Sequence, residues 1–257
     1  MNRSQELYIT LLTKTNEIKD FMRNTPQHHS YLQFSDFNMT CEKKMFEQGV
    51  KPRQEYLHII PGLEEECKEC WKFYLNPRNK SIKKYDVLYG KKFENIFSNF
   101  LNDIGIKSGK ADAKNTVLPD NFISNDEGKT IAYYEVKYHN APFVWAYRYE
   151  PGRECYEGSI TLDYEKVQKQ IETIRGITDL PVYYLHWVDF PCIKGIYYMD
   201  LEDTQKAMES GIAYARKARD GDYVTVNKMI KRVGYQNKFY PSLLDMKNLE
   251  QFVTMFE

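Results

Sequence analysis

The sequence lacks a long apolar run, an excess of charge and an internal repeat. No stretch approaches the roughly 18 apolar residues of a membrane span, so we expect a soluble protein that stays out of membranes. The 36 Lys and Arg residues balance the 36 Asp and Glu residues, which makes the formal net charge zero. Overall charge therefore neither favours nor excludes a polyanionic partner.

Cysteine is scarce and its count is odd. Five cysteines without a secretory signal indicate a reducing, cytoplasmic compartment and no disulfide framework. Cys67 and Cys70 have a spacing found in zinc sites, and Cys41 with one histidine would complete a tetrahedral set. The available histidines are His28, His29 and His58. Because the cysteine pair lies in a predicted helix and no second C-x2-C follows, we do not expect structural zinc.

Three charged side chains at a short spacing form the clearest chemical pattern in the chain. Pro119-Asp120 is followed by Glu135-Val136-Lys137 at the end of an apolar-alternating stretch. Two carboxylates and a lysine on one face of a β-hairpin can hold a hard divalent cation and an attacking water against a phosphodiester. Whether these side chains converge depends on the residues between them.

Those intervening residues predict a β-hairpin. Residues 125–128, Asn-Asp-Glu-Gly, are turn formers between the strand-like segments 121–123 and 131–134. Gly128 supplies a positive φ angle at the end of the turn. This turn chemistry favours a four-residue loop over a three-residue one.

The loop length sets the register of the hairpin. A four-residue loop pairs Ser124 with Lys129 and sets Asp120 opposite Tyr133. Side chains alternate between the faces of a strand, so Asp120 becomes a diagonal neighbour of Glu135, roughly 7 Å away at the backbone. A three-residue loop would put Asp120 on the other face.

The motif as a whole resembles that of the PD-(D/E)XK nuclease superfamily. Pro119-Asp120 matches its proline-aspartate element, and Glu135-Val136-Lys137 matches its acid-x-lysine element. The resemblance implies an α/β protein with a restriction-endonuclease-like α-β-β-β-α-β core, in which a mixed central sheet is flanked by helices. It covers about residues 86 to 200 of the chain.

The chain supplies the other elements of such a core in the required order. Apolar stripes predict a helix over about 89–105 and a later helix with Asp163 at its N-cap. A nearly continuous apolar run at 182–188 predicts a strand covered on both faces. Residues 196–199 predict another strand, and 201–218 predict a closing helix.

We predict three parts along the chain. Residues 1–80 form a helical N-terminal region, with helices over about 7–21 and 63–74. Residues 81–218 form the nuclease core. Residues 219–257 form a basic and aromatic C-terminal segment and a helix that pack on the core.

The ligand set of the motif predicts the metal. Oxygen atoms from Asp120 and Glu135, with the carbonyl of Val136 as a third ligand, suit Mg²⁺, with Mn²⁺ as a substitute. Lys137 is a compact cation that can orient the water and stabilise charge growing on the phosphoryl group.

The resemblance adds two site residues outside the hairpin. Glu94 lies on the flank of the upstream apolar stripe, where family members often carry a glutamate that joins the metal site. Some family branches place a glutamine in the downstream helix near the active site. Gln168 and Gln170 lie on the two flanks of that helix, and Gln168 fits the spacing to the next strand slightly better.

Two further segments predict DNA contact. In 216–238 the cations outnumber the acids and aromatic residues are interleaved, which suits phosphate contact and base stacking. The aromatic segment 138–160 follows the catalytic strand directly and is interrupted by Pro and Gly. A solvated surface and a loop packed on the core are the respective alternatives. The candidate DNA-binding residues are Lys228, Lys231, Arg232, Arg148 and Arg153.

The resemblance implies a Mg²⁺-dependent DNA endonuclease, foremost a restriction-type enzyme that cuts both strands of a duplex. One site per chain then calls for a homodimer. The alternatives are a repair or recombination nuclease, such as a Holliday junction resolvase, and a catalytically silent DNA-binding module of the same fold.

Overall fold

The protein is a mixed α/β structure with a mixed six-stranded sheet at its centre, as expected from the sequence. The computed structural model describes residues 1–25, 32–47, 58, 60–68, 83–111, 118–140, 142–143, 158–216, 223–232 and 237–257.

The helices and strands follow one another along the chain with few long connections between them. The helices are α1 (Arg3–Thr13), α2 (Asn16–Arg23), α3 (Asp36–Glu47), α4 (Lys83–Asp103), α5 (Tyr164–Arg175), α6 (Leu201–Ser210) and α7 (Leu249–Thr254). The strands are β1 (Ser108–Lys110), β2 (Asn121–Ser124), β3 (Thr130–His139), β4 (Leu162–Asp163), β5 (Val182–Asp189), β6 (Lys194–Asp200), β7 (Tyr214–Ala215), β8 (Tyr223–Val226), β9 (Met229–Arg232), β10 (Asn237–Phe239) and β11 (Lys247–Asn248). Residues 63–68 are also helical.

The central sheet has the strand order β1-β2-β3-β5-β6-β11. Its neighbours are antiparallel except for β3 and β5, which are parallel. Parallel strands need a crossover connection, and α5 lies in the one that joins β3 to β5. Two smaller sheets, β4-β10-β7 and β8-β9, complete the strand pairing of the described residues.

Helices cover both faces of strand β3. On one face, Phe93 of α4 stacks on Tyr138 with ring centroids 3.6 Å apart, and Phe97 packs edge-on against Tyr134. On the other face, α5 buries Val167 and Ile171 in a second apolar cluster. Glu135 and Lys137, one residue out of phase with the tyrosines, therefore face α5.

The N-terminal helices share the first of these apolar clusters with the sheet. Tyr8 of α1 is buried and meets Trp187 of β5 edge-on, with ring centroids 6.3 Å apart. Leu249 and Phe252 of α7 belong to the same cluster. No helix in the described part of the chain combines the length and the apolar character needed to cross a bilayer.

Two predicted helix boundaries differ from the structure at the N-terminal side. Helix α4 begins at Lys83, before the predicted start near residue 89, and ends as predicted ahead of Gly105, whose φ is +91°. The predicted helix over 7–21 is two helices, α1 and α2. Thr15 separates them, and its hydroxyl donates to the carbonyl of Leu12.

Two further predictions change around α5 and α6. Asp163 occupies the N-cap position of α5, but its side chain makes no capping hydrogen bond and is paired with Lys238 of β10. The predicted closing helix over 201–218 ends at Ser210, because Gly211 is extended (φ −86°, ψ 161°) and the short strand β7 follows.

Candidate active site

The β2–β3 hairpin closes with a longer loop than the sequence predicts. Ser124 pairs with Thr130, not with Lys129, and the register shifts at a bulge between Ser124 and Ile123. The amide and side chain of Asn125 close the loop with Lys129 through two hydrogen bonds of 2.9 Å. The prediction of a four-residue loop is wrong, although Gly128 has the expected positive φ of 79°.

The extra loop residue and the bulge together move the register by two positions. Asn121 pairs with Tyr134, so the same register brings Asp120, just before β2, level with Glu135 and not with Tyr133. A shift of two residues keeps every side chain on its face, whereas a shift of one would have reversed them. Asp120 is exposed, and its charge acts on the same neighbours, Glu94 and Lys166, as that of Glu135.

Glu135 is a buried carboxylate held by three cationic or amide groups. Lys137 donates to its Oε1 at 2.5 Å, and the Nζ of Lys166 lies 3.4 Å from the same oxygen. Gln170 donates to the other oxygen, Oε2, at 2.7 Å. Burial opposes ionisation of Glu135, but the two lysines and these hydrogen bonds outweigh it and hold its pKa well below the usual range. Glu135 is therefore an anion at neutral pH.

The glutamine beside Glu135 is not the one selected from the sequence. Gln168 is exposed and donates to Glu172 on the outer side of α5, so the expected placement of Gln168 is not met. Gln170 and Lys166 are four residues apart and so share the flank of α5 that faces Glu135. Sequence reasoning missed Lys166, although its i, i+4 spacing to Gln170 was a usable signal.

Glu94 approaches the same place from the opposite layer. It is on α4, its side chain is 13% exposed, and it accepts a hydrogen bond of 2.9 Å from Lys110 of β1. Desolvation raises the pKa of Glu94 most; Lys110 opposes the rise, while Asp120 and Glu135 add to it. The three carboxylates are thus within electrostatic reach of one another, as expected for residues of one site.

A buried polar strip continues from Glu135 along the sheet. The β3–β5 register pairs Glu135 with Tyr184 and Lys137 with His186, and Nδ1 of His186 lies 3.2 Å from Nε2 of His139. Desolvation and Lys137 lower the pKa of His139 to about 3, and burial also lowers that of His186. Both imidazoles are therefore neutral. The Tyr184 hydroxyl and His186 Nε2 have no hydrogen-bond partner among the described residues.

The donor set fits Mg²⁺ better than a metal that needs a closed cage. Among the described residues, no three His, Cys, Asp or Glu side chains are gathered closely enough to hold a metal ion. Mg²⁺ often uses only one or two carboxylates and takes waters and phosphate oxygens for the rest. Asp120 and Glu135 supply such a pair. Val136, predicted as a third ligand through its carbonyl, buries its side chain in the core on the other face of β3.

The remaining predicted residues lie elsewhere. Lys228 and Lys231 are exposed on the β8–β9 hairpin, and Arg232 ends β9. Of the zinc candidates, Cys41 donates to Glu66, and His58 lies 2.6 Å from Glu64. Cys67 is buried in the second apolar cluster. The calls that fall outside the described residues are Arg148, Arg153, Cys70, His28 and His29.

Comparison of the chain with protein-family models and with curated protein sequences gave no match. The function of the site therefore has to follow from its own chemistry: a buried anion, an adjacent lysine, a second carboxylate at the surface and a third in the opposite layer.

Proposed function

We propose that this protein is a Mg²⁺-dependent DNA endonuclease of the PD-(D/E)XK type. The observation that carries the proposal is the pairing of buried, ionised Glu135 with Lys137 two residues later on the same strand face, with Asp120 level with Glu135. An ordinary solvated strand face would leave these side chains exposed. Here Glu135 is only 6% exposed and Lys137 lies partly beneath α5.

Asp120 and Glu135 would hold the cation, with Glu94 supporting the site from α4. Mg²⁺ bound there supplies positive charge against the negative charge that develops on the phosphoryl group. Lys137 can orient the attacking water, accept help from the neighbouring anion in its deprotonation, and stabilise the same developing charge. Gln170 and Lys166 position the Glu135 carboxylate, because between them they contact both of its oxygens.

The substrate class follows from the same chemistry. Carboxylate-bound Mg²⁺ beside a lysine suits hydrolysis of a phosphodiester, and we propose duplex DNA as the polymer. The finer proposal is a restriction-type enzyme that cuts both strands. Each chain carries one such site, so two chains have to act on one duplex.

The direct test is cleavage of supercoiled plasmid and linear duplex DNA by purified protein in Mg²⁺, Mn²⁺ or EDTA. We expect cleavage with either metal and none in EDTA. Asp120→Asn keeps the size of the side chain but removes its charge, and we expect it to lower the rate by at least about 100-fold.

Asp126→Asn is the matched control, because Asp126 lies in the loop of the same hairpin with its side chain fully exposed. It should cut at the wild-type rate. Wild-type protein that binds duplex DNA but never cuts it in either metal would refute the endonuclease. Discrete fragments from linear duplex support the restriction-type enzyme, whereas cleavage confined to four-way junctions would contradict it.

Gln170→Ala tests the positioning of Glu135. The variant leaves Lys137 and Lys166 on Oε1 but removes the only contact described above for Oε2. We expect the cleavage rate to fall by about 10-fold and the Mg²⁺ concentration for half-maximal activity to rise, because a less well oriented carboxylate binds the cation more weakly. A Mg²⁺ titration of cleavage measures both quantities.

Gln168→Ala is the paired control, since Gln168 lies two residues away on the same helix and contacts only the exposed Glu172 in the described structure. Its Mg²⁺ titration should match that of the wild type. If Gln168→Ala shifts the titration and Gln170→Ala does not, the assignment of the two glutamines is reversed.

A further inference from the structure

Strands β8 and β9 form a two-stranded ribbon outside the central sheet. Each strand has four residues, and all four positions pair, from Tyr223 with Arg232 to Val226 with Met229. The ribbon pairs with no other strand among the described residues. At about 3.3 Å per residue, its paired part is about 10 Å long.

The tip of the ribbon keeps a lysine where the backbone favours glycine. Asn227 and Lys228 form a two-residue turn, and both have positive φ angles, 51° and 65°. Such turns prefer Asn-Gly, because a side chain with a Cβ in this conformation costs about 1 kcal/mol. A charged residue retained at a strained position is a sign of function at the tip.

The surface of the ribbon is both cationic and apolar. Residues 223–232 contain three cations, Lys228, Lys231 and Arg232, and no acidic residue. Of the eleven exposed large apolar side chains among the described residues, four lie here, with Met229 at 70% and Ile230 at 77% exposure. Such a concentration of apolar side chains in water marks a binding surface.

We infer that the β8–β9 ribbon inserts into the major groove of duplex DNA next to the cleavage site. This inference rests on the proposed endonuclease function. The major groove is about 12 Å wide and admits a two-stranded ribbon. Its walls are phosphates that attract lysine, and its floor exposes thymine methyl groups that match Met229 and Ile230.

Charge distinguishes DNA from a second copy of the chain as the occupant. A twofold contact between two ribbons would bring their like-charged lysines together without any acidic residue of the ribbon to compensate. DNA phosphates provide the opposite charge. Duplex RNA has a deep, narrow major groove that protein elements do not enter, so it does not fit the ribbon equally well.

The ribbon emerges beside the candidate active site. It lies between β7 and β10 in sequence, and these strands pair with each other through Asn237 and Ala215. Strand β10 also pairs with β4, directly before α5, and Asn237 donates to Glu165 on that helix. Helix α5 carries Lys166 and Gln170 to Glu135, so the attachment of the ribbon and the site share one helix.

The test is the salt dependence of binding to a labelled DNA duplex, measured by fluorescence anisotropy in EDTA so that no cleavage occurs. The variant Lys228→Gly/Lys231→Gln removes two cations, and glycine also relieves the strained turn, so a loss of binding does not reflect an unfolded ribbon. We expect the slope of log affinity against log salt to decrease in magnitude by about two, one for each lysine.

Lys43→Gln/Lys206→Gln is the control, because these lysines are 71% and 73% exposed on helices of the body. It should keep the wild-type slope. An unchanged slope in the ribbon variant would overturn the inference, as would equally tight, ribbon-dependent binding of duplex RNA. So would a change from dimer to monomer in sedimentation without a change in slope, which would identify the ribbon as a contact between copies.

Plasmid cleavage separates this inference from the proposed function. If the wild-type protein cuts DNA and the ribbon variant keeps the wild-type salt slope, only the ribbon inference fails. If the ribbon variant loses about two units of slope but wild-type protein never cuts, the ribbon inference stands and the endonuclease fails.

Discussion

Lys137→Ala is expected to lower the rate of DNA cleavage by about 100- to 1000-fold, the range found when one stabilising group is removed from a transition state. The Nζ of Lys137 lies 2.5 Å from Glu135 Oε1, and its side chain is only 19% exposed. A cation in such a partly dry place acts more strongly on developing charge than one in water. The measurement is single-turnover cleavage of plasmid DNA in saturating Mg²⁺.

Two variants distinguish a catalytic lysine from a merely structural one. Lys137→Arg retains the charge but replaces a compact ammonium by a broad, planar group, so we expect it not to restore the rate. Lys166→Ala removes the other lysine on the same oxygen, at 3.4 Å and 46% exposed. Because Lys166 positions Glu135 and lies further out, its loss should cost clearly less than that of Lys137.

Folding has to be followed in parallel. Removing Lys137 leaves Glu135 with Lys166 and Gln170, so the carboxylate keeps partners and the variant should retain its thermal unfolding transition. A folded Lys137→Ala protein that cuts plasmid at the wild-type rate would remove Lys137 from the site. A variant that loses activity only when it unfolds would assign Lys137 a structural role.

The hairpin shows how far local sequence reasoning extends. Alternation of apolar residues located β2 and β3, and Gly128 located the turn. The loop length was wrong because turn chemistry does not report a bulge, which depends on how Ile123 and Ser124 pack against the neighbouring strands. The face of Asp120 was nevertheless correct, since the loop and the bulge each added one residue and side-chain direction has a period of two.

Helix α5 shows a different limit. Its apolar stripe predicted the helix and its buried face, but Gln168 and Gln170 lie on opposite flanks of that stripe. Which flank meets Glu135 depends on how the helix is rotated on the sheet, and this rotation is set by long-range packing. Lys166 was missed for the same reason, because its role requires a partner on a strand far away in sequence.

The β8–β9 ribbon was predicted as a basic and aromatic segment but not as a hairpin. Its turn residues, Asn227 and Lys228, lack the glycine that usually identifies a two-residue β-turn in a sequence. Composition alone therefore gave the charge of the segment, while the exposure of Met229 and Ile230 became visible only once the strands were paired.

The largest stability effect should come from the ion pair between Asp189 and Lys194. The two residues face each other where β5 turns into β6, with side chains 0% and 6% exposed, and Tyr138 donates to the same carboxylate at 2.7 Å. Asp189→Ala leaves a buried ammonium group without this carboxylate. We expect a loss of about 3–5 kcal/mol in the free energy of unfolding.

Thermal denaturation of three variants tests this expectation. Asp189→Ala should lower Tm by about 6 to 20 °C for a chain of this size. Asp189→Leu/Lys194→Met removes both charges and fills the space with apolar atoms, so it should recover most of the loss. Lys107→Ala breaks an exposed pair with Asp126 and should shift Tm by less than about 2 °C. A double variant as unstable as Asp189→Ala would show that the loss comes from packing or from the Tyr138 hydrogen bond, and not from an uncompensated charge.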